Sequence, residues 1–423
     1  MIKLILISFL FSITSCSLFI DNFNGDILEE NNVVPLPVTK QTTCKKPSSQ
    51  ILLSPERNSQ ETFHTFYEKL NKTKRFRFID KAVLWSLIQM NLRPDLSSPT
   101  AKLQILLKIK KEKYYHSFSK EKNLFPYLKL LDQLLKEHKS RYSLFDLAKM
   151  IDQNYHYPFL VSKELEIFLL KNKKKIAQNL QLKNTFFRGD ETLQENESLP
   201  KINFRKIVSL YLKTKKASQY SRNSFLFEYK TQGSLTPYCN FDMNLYKESN
   251  FLIHKNEIES HIFGLKDKKN VFMAMSSQEI DLGQTIKNSF LFSGKSHVRS
   301  SAICLFKNKF HTSSPLWLFS TQSRDPGQHI FHLNQYGLNQ TKSVKELDSL
   351  LKFSRHQFLQ NPVRLVIESR RSSKEQLEEL LKLNIPIYNA KRLGKIWAYY
   401  DDSKNPSFLL DERRQGALTC ISK

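Results

Sequence analysis

From about residue 61 to 217 the apolar residues recur at intervals of three and four, and this spacing predicts a run of amphipathic helices. Asp80 can cap a helix on which Leu84, Leu87 and Ile88 share a face. Ser98 followed by Pro99 supplies a cap and a proline at the first helical position, with Leu103, Leu106, Leu107 and Lys110 continuing that helix. Leu124, Leu128, Leu131, Leu134 and Leu135 form a further stripe, and Ser143 with Asp146 makes a capping box ahead of Leu147, Met150 and Ile151. Leu165, Leu169, Ile176 and Leu180 mark a longer helix that ends before the polar loop 188–199, and residues 202–216 add one more. No fixed repeat period connects these stripes, which favours a bundle over a solenoid.

Near Ser218 the texture changes. "SFLFEYK" and "CNFDMNLYK" flank Gln232-Gly233-Ser234 and read as a hairpin, while "NVFMAM", "SSAICLF" and "PLWLFST" read as short buried strands. The tail gives "VRLVIES" (363–369), a helix over 373–383, then "IPIYNA" and "KIWAYYD", a strand–helix–strand–strand unit that implies a sheet with helices packed on it. The expected fold class is therefore mixed α+β: an all-helical N-terminal domain over 61–217, then an α/β domain with a mixed sheet over 218–423.

The first residues carry an address. Lys3 is followed by an apolar run from Leu4 to Ile13, too short for the roughly 20 residues that span a bilayer and suited to a secretory signal over 1–15. Ile13-Thr14-Ser15-Cys16 resembles the lipobox of bacterial lipoproteins, and the resemblance implies lipidation of Cys16 and a bacterial cell-envelope location, the outer membrane before the inner. Residues 16–60, with Pro35, Pro37, Pro47 and Pro55 among polar residues, read as a flexible tether.

Charge sharpens this picture. The net charge is +26, and it is uneven: residues 61–217 hold 32 Lys/Arg against 16 acids, whereas 16–60 hold four against five. For a protein on a membrane, such a basic surface fits anionic lipids or an acidic envelope polymer. Nucleic acid meets the same electrostatic requirement but is scarce for an exported chain. With Cys16 lipidated, Cys44, Cys239, Cys304 and Cys420 are open to disulfide pairing in an oxidising compartment, with three pairings allowed.

Local catalytic motifs are missing: no Walker loop, dinucleotide fingerprint, HExxH or GxSxG elbow occurs. The richest polar stretch is 294–334, with His297, His311, His329 and His332 beside Arg299, Ser320, Ser323, Arg324 and Asp325. No carboxylate or cysteine stands at ligand spacing from these histidines, so no metal and no cofactor is expected. "SRDPG" (323–327) reads as a turn, or as an Arg–Asp pair able to orient a phosphate.

The succession "HVRSSAICLF", "LWLFSTQS", helix, "VRLVIES", helix, "IPIYNA", "KIWAYY" resembles the phospholipase D-like fold over residues 250–423. That resemblance places His297 and Arg299 at the family's His and Lys positions, with Cys304 where its Asp belongs. Ser320 falls near the Ser/Asn strand, and Lys395 matches the second lysine. It implies a degenerate relative. The resulting expectation is a lipid-anchored binding or scaffolding protein; the alternative is a phosphodiesterase using His297, Arg299, Ser320 and Lys395. The oligomeric state is not legible.

Overall fold

Residues 102–109, "KLQILLKI", form a strand where the spacing after Ser98 had suggested a helix. Ser98 caps no helix: its hydroxyl hydrogen-bonds to Thr100 Oγ1 at 2.8 Å and donates to Gln278 Oε1 at 2.5 Å, inside a turn. Alternation then sends Leu103, Ile105 and Leu107 to one side and Leu106 to the other, and both sides are buried.

In the computed structural model, residues 50–421 are described apart from 55–56, 111, 118–124, 218–226, 229–237, 240–258, 287–288, 290, 296–300, 308–314, 324, 360–362, 402–406 and 414–415. Cys16, Cys44 and the signal segment lie outside the described residues. The described elements are mixed α+β.

Among the elements that build the body are β1 (Gln50–Ser54), α1 (Arg57–Lys74), α2 (Phe78–Leu92), β2 (Lys102–Ile109), β3 (Glu112–Ser117), α3 (Pro126–Glu137), α4 (Leu144–Asn154), α5 (Lys163–Lys171) and α6 (Phe204–Ala217). They continue with β4 (Phe227–Glu228), β5 (Tyr238–Cys239), β6 (His261–Asp267), β7 (Asn270–Ser277), β8 (Ala302–Lys307), β9 (Pro315–Thr321), α7 (Pro326–Gln335) and α8 (Val344–Lys352). After a small unit come β10 (Lys395–Tyr400), β11 (Ser407–Leu409) and β12 (Ala417–Ile421).

Sheet I runs in the order β12-β1-β6-β7-β2-β3-β4 and sheet II in the order β11-β10-β9-β8-β5, with antiparallel pairing throughout both. Their facing sides share one core, in which Ile262, Met273 and Leu106 of sheet I meet Trp317, Phe319 and Trp397 of sheet II. The outer side of sheet I packs on α1 to α6 through residues such as Phe63, Leu87, Leu131 and Phe263. The outer side of sheet II packs on α7 and α8 through Leu318, Ile330 and Leu347. The result is four layers, helix–sheet–sheet–helix.

This ladder corrects the expected layout. Residues 50–54, 102–109 and 112–117 pair into the same sheet as 261–277 and 417–421, so 61–217 is not a separate all-helical domain. Residues 50–54, expected within a flexible tether, instead form β1, buried between β6 and β12. "SFLFEYK" and "CNFDMNLYK" do not form a hairpin with one another, since Phe227–Glu228 pairs with β3 and Tyr238–Cys239 with β8.

Cysteine pairing is settled for one pair. Cys239 and Cys304 are opposite one another in the β5–β8 ladder and form a disulfide. Cys420 is disulfide-bonded as well.

The second compact unit comprises Lys352–Leu393. It holds strands His356–Leu359 and Arg364–Ile367, antiparallel, with Ile387–Asn389 parallel to the latter, and helix Lys374–Leu381, whose N-cap is Ser373. The strand–helix–strand part of the expected tail unit is present here, but "KIWAYY" belongs to sheet II as β10. Among the described residues no helix is long and apolar enough to cross a membrane.

Candidate active site

Six strand ends converge at one end of the sandwich. In sheet I the start of β6, the end of β7 and the start of β2 are neighbours, with His261 opposite Ser276 and Ser277 opposite Lys102. In sheet II the start of β8, the end of β9 and the start of β10 are neighbours, with Ala302 opposite Ser320 and Thr321 opposite Lys395. Ser301 Oγ donates to Gln104 Oε1 at 2.7 Å, joining the two sheets at this end. Lys108 and Asp401 join them further along.

The end is unusually polar for a buried place. Arg93, at the C-terminus of α2, is buried and forks onto Asp95, with Nε and Nη2 at 2.9 and 2.6 Å from its two oxygens. Arg93 also pairs with Glu164, and Glu259 lies 3.9 Å away. Glu164 stands in the first turn of α5, where Ser162 caps the helix and the positive end favours a carboxylate. Its other oxygen accepts from Lys395 Nζ at 3.0 Å, and that ammonium also lies 4.3 Å above the Trp397 ring.

These neighbours set the charge states. Burial pushes the Glu164 carboxyl up, but Lys395 and Arg93 outweigh it and hold the group below its usual range. Burial also opposes charge on Arg93, and Asp95 with Glu164 overcomes it, so the guanidinium is held more firmly than usual. His261 goes the other way: burial, with Arg93 and Lys395 nearby, drives it far below its ordinary value, so the ring is neutral. Its Nε2 lies 2.8 Å from Gln89 Oε1 and is therefore the donor.

Three polar residues stand at neighbouring strand ends of sheet I here. Ser260 directly precedes β6, Ser277 ends β7, and Lys102 begins β2. The Ser260 hydroxyl is buried and has no hydrogen-bond partner among the described residues. Lys102 is 6% exposed and likewise has neither an ion-pair nor a hydrogen-bond partner among the described residues. Burial alone lowers its ammonium to about 8. Next to these residues, Ser97 and Ser276 are 2.6 Å apart, and Gln278 Nε2 donates to the Asp95 carbonyl at 2.7 Å.

The residues marked from the sequence fare unequally. His297, Arg299, His311 and Arg324 lie outside the described residues. Ser320 and Lys395 do not converge. Ser320 alternates with Leu316 and Leu318 toward the helices over sheet II, whereas Lys395 alternates with Trp397 toward sheet I. Register seats Ser320 opposite Ile396. Cys304, at the position of the phospholipase D aspartate, is in its disulfide. "SRDPG" opens α7, where Asp325 caps the helix, Pro326 is its first residue, and His329 Nε2 lies 2.9 Å from Ser323 Oγ. Among the described residues His329 and His332 join no ligand group. Among the described residues the group with metal-ligand chemistry is His116, Glu137 and His138, in none of which the spacing of residues had suggested a metal.

Gly394, immediately before Lys395, locks this corner. Its φ is +62, and a Cβ there would stand 2.8 Å from His329 Cδ2 and 3.3 Å from the Thr321 carbonyl. Gly394→Ala should cost about 1–3 kcal/mol, read as a lowered midpoint in urea unfolding; an unchanged midpoint would remove the constraint.

Comparisons with known proteins come from structure. No family model and no curated protein matches the chain. A threonine-to-alanine variant of LmbA2991 aligns at TM-score 0.62 and 8% identity, covering 90% of this chain and 99% of that one. LmbA2991HD aligns at 0.59 and 10%, with 90% and 99% covered. A cephalosporin acylase from Bacillus halodurans aligns at 0.56 and 8%, with 93% and 99% covered. This is a fold that an acylase uses.

That likeness overturns three expectations. It runs through both halves of the chain, so the phospholipase D-like reading of 250–423 falls, and nothing in these neighbours supports the lipoprotein and outer-membrane expectation drawn from the first residues. A fold shared with an acylase also replaces the binding or scaffolding role and the leaning against catalysis. Sequence reasoning missed Arg93, Glu164, Ser260 and Lys102. The signals that were there are a lysine opening the apolar run "KLQILLKI" and an Arg-Pro-Asp that forks on itself.

Proposed function

We propose that this chain is an acyl-bond enzyme, a hydrolase or transferase that cleaves an amide or related acyl compound at the polar end of the sandwich. The observation that carries the reading is Ser260, a buried hydroxyl with no partner among the described residues, at the head of β6, with a lysine lowered to about 8 at the start of β2 on the far side of β7. The printed name of one structural neighbour, an acylase, supports the reaction class.

In this reading Ser260 Oγ adds to the acyl carbon while its proton passes to the neutral Lys102 amine. The bond from acyl carbon to the leaving nitrogen breaks, and the proton goes to that nitrogen. Water or another nucleophile then takes the acyl group and restores the serine. The buried Arg93–Asp95–Glu164–Lys395 cluster ties α2, α5 and β10 together at this end, where low exposure strengthens electrostatic effects.

The test is covalent capture. A serine-directed fluorophosphonate should label the full chain once, at the peptide containing Ser260, and Ser260→Ala should abolish labelling along with hydrolysis of an acyl-amide panel. Labelling elsewhere, or turnover unchanged in Ser260→Ala, would overturn the assignment.

A further inference from the structure

Away from those strand ends, three side chains from two elements meet at the edge of sheet I. His116 lies on β3 opposite Ile105 of β2, on the side that faces the helices; Glu137 is the last residue of α3 and His138 its C-cap. One ligand-type atom from each lies within 4.8 Å of the others. His116 Nδ1 is 3.7 Å from Glu137 Oε2, too long for a hydrogen bond. Ligand atoms held at about 2.0–2.1 Å around a tetrahedral ion stand roughly 3.4 Å from one another.

The second observation is a set of orphans. His116 is 3% exposed, and its Nε2 has no hydrogen-bond partner among the described residues; neither do Glu137 Oε2 and His138 Nε2. Three buried polar atoms without partners, one on each residue of the group, cost free energy unless something joins them. The surroundings are those of a held ligand set: Gln133 Nε2 donates to the other Glu137 oxygen at 2.5 Å, and Tyr114 flanks both imidazoles, with ring centroids 5.9 Å from His116 and 5.3 Å from His138.

We propose that His116, Glu137 and His138 bind one divalent transition-metal ion of the zinc class, as a two-histidine, one-carboxylate set that clamps the end of α3 onto β3. Imidazole and carboxylate together suit zinc, and three protein ligands leave one position of a tetrahedron for water. The site is separate from the proposed acyl chemistry, so its fate does not decide that reading.

Cobalt and zinc test it without any activity assay. The full chain, stripped with a chelator and with no affinity tag, should bind one Co(II) with visible absorption of a low-coordinate site, displaced by one equivalent of Zn(II), and its Tm should rise with zinc. Glu137→Gln and His138→Asn, at partly exposed positions that a fold tolerates, should each weaken binding beyond the roughly 10–100-fold that outer-shell changes cost. His116→Asn should abolish it. No cobalt band and no Tm change in the folded, stripped chain would overturn the proposal, as would a band that survives in His138→Asn and Glu137→Gln alike.

Discussion

Arg93→Ala is expected to lower stability by about 3–5 kcal/mol at pH 7, the loss typical of removing one partner from a buried ion cluster. Arg93 is 1% exposed and Asp95 is fully buried. Glu164 keeps Lys395 as a second cation, but among the described residues Asp95 has no other ion-pair partner, so its carboxyl group would be left unmatched in a dry place. The same cluster predicts an acid limit. Glu164 titrates lower in the folded chain than an ordinary glutamate, so its contribution is complete above the usual carboxylate range and drains away as pH falls through the lowered value. Arg93→Ala should flatten that acid branch, because the carboxylate loses one of the cations that depress it. Urea unfolding of both proteins at neutral and mildly acidic pH measures both effects. A loss below about 1 kcal/mol would show that water reaches the cluster and satisfies it.

Much of the local structure was legible. Ser143 and Asp146 form the capping box their spacing announces, and the apolar stripe Leu128, Leu131, Leu134 and Leu135 lies along α3 and is buried. Residues 102–109 were misread for a definite reason: Leu103, Leu106 and Leu107 satisfy helical spacing only because both faces of the strand are buried, which erases the alternation that would mark it. The sandwich itself was hidden because its ladders join distant residues, as when Leu52 pairs with Thr419 on one side and Leu265 on the other. Linear patterns carry no record of such pairings.

The site was hidden in the same way. Reading along the chain favoured the dense polar run around His297 and Ser320, yet strand alternation turns Ser320 to the helices and Lys395 to the opposite face. Arg93, Glu164 and Lys395 come from three remote segments and meet only when α2, α5 and β10 are packed. Lys102 stands in no motif and is one of many lysines in a chain with a charge of +26. Its burial is what makes it chemically distinct.

That distinction gives the second large prediction. Lys102→Met should raise stability and destroy activity together. Burial lowers the ammonium to about 8 in the folded chain against an ordinary 10.5, so at pH 7 folding must bury a charge the unfolded chain leaves in water. The difference corresponds to about 3 kcal/mol. Because the unfolded chain binds more protons between about 8 and 10.5, the stability of the native protein should climb with pH across that window. Methionine, of similar reach and without charge, should remove both the cost and the climb. If the neutral amine is the base for Ser260, turnover should fall by about 10²–10⁴-fold in the same variant, and kcat/KM of the unaltered enzyme should rise with pH to a plateau above about 8. A stabilised Lys102→Met protein that keeps full turnover would remove the lysine from the chemistry, while a destabilised one would show that its ammonium is satisfied where it sits. A group that weakens the fold in exchange for a poised amine is what a catalytic base at this end of the sandwich requires.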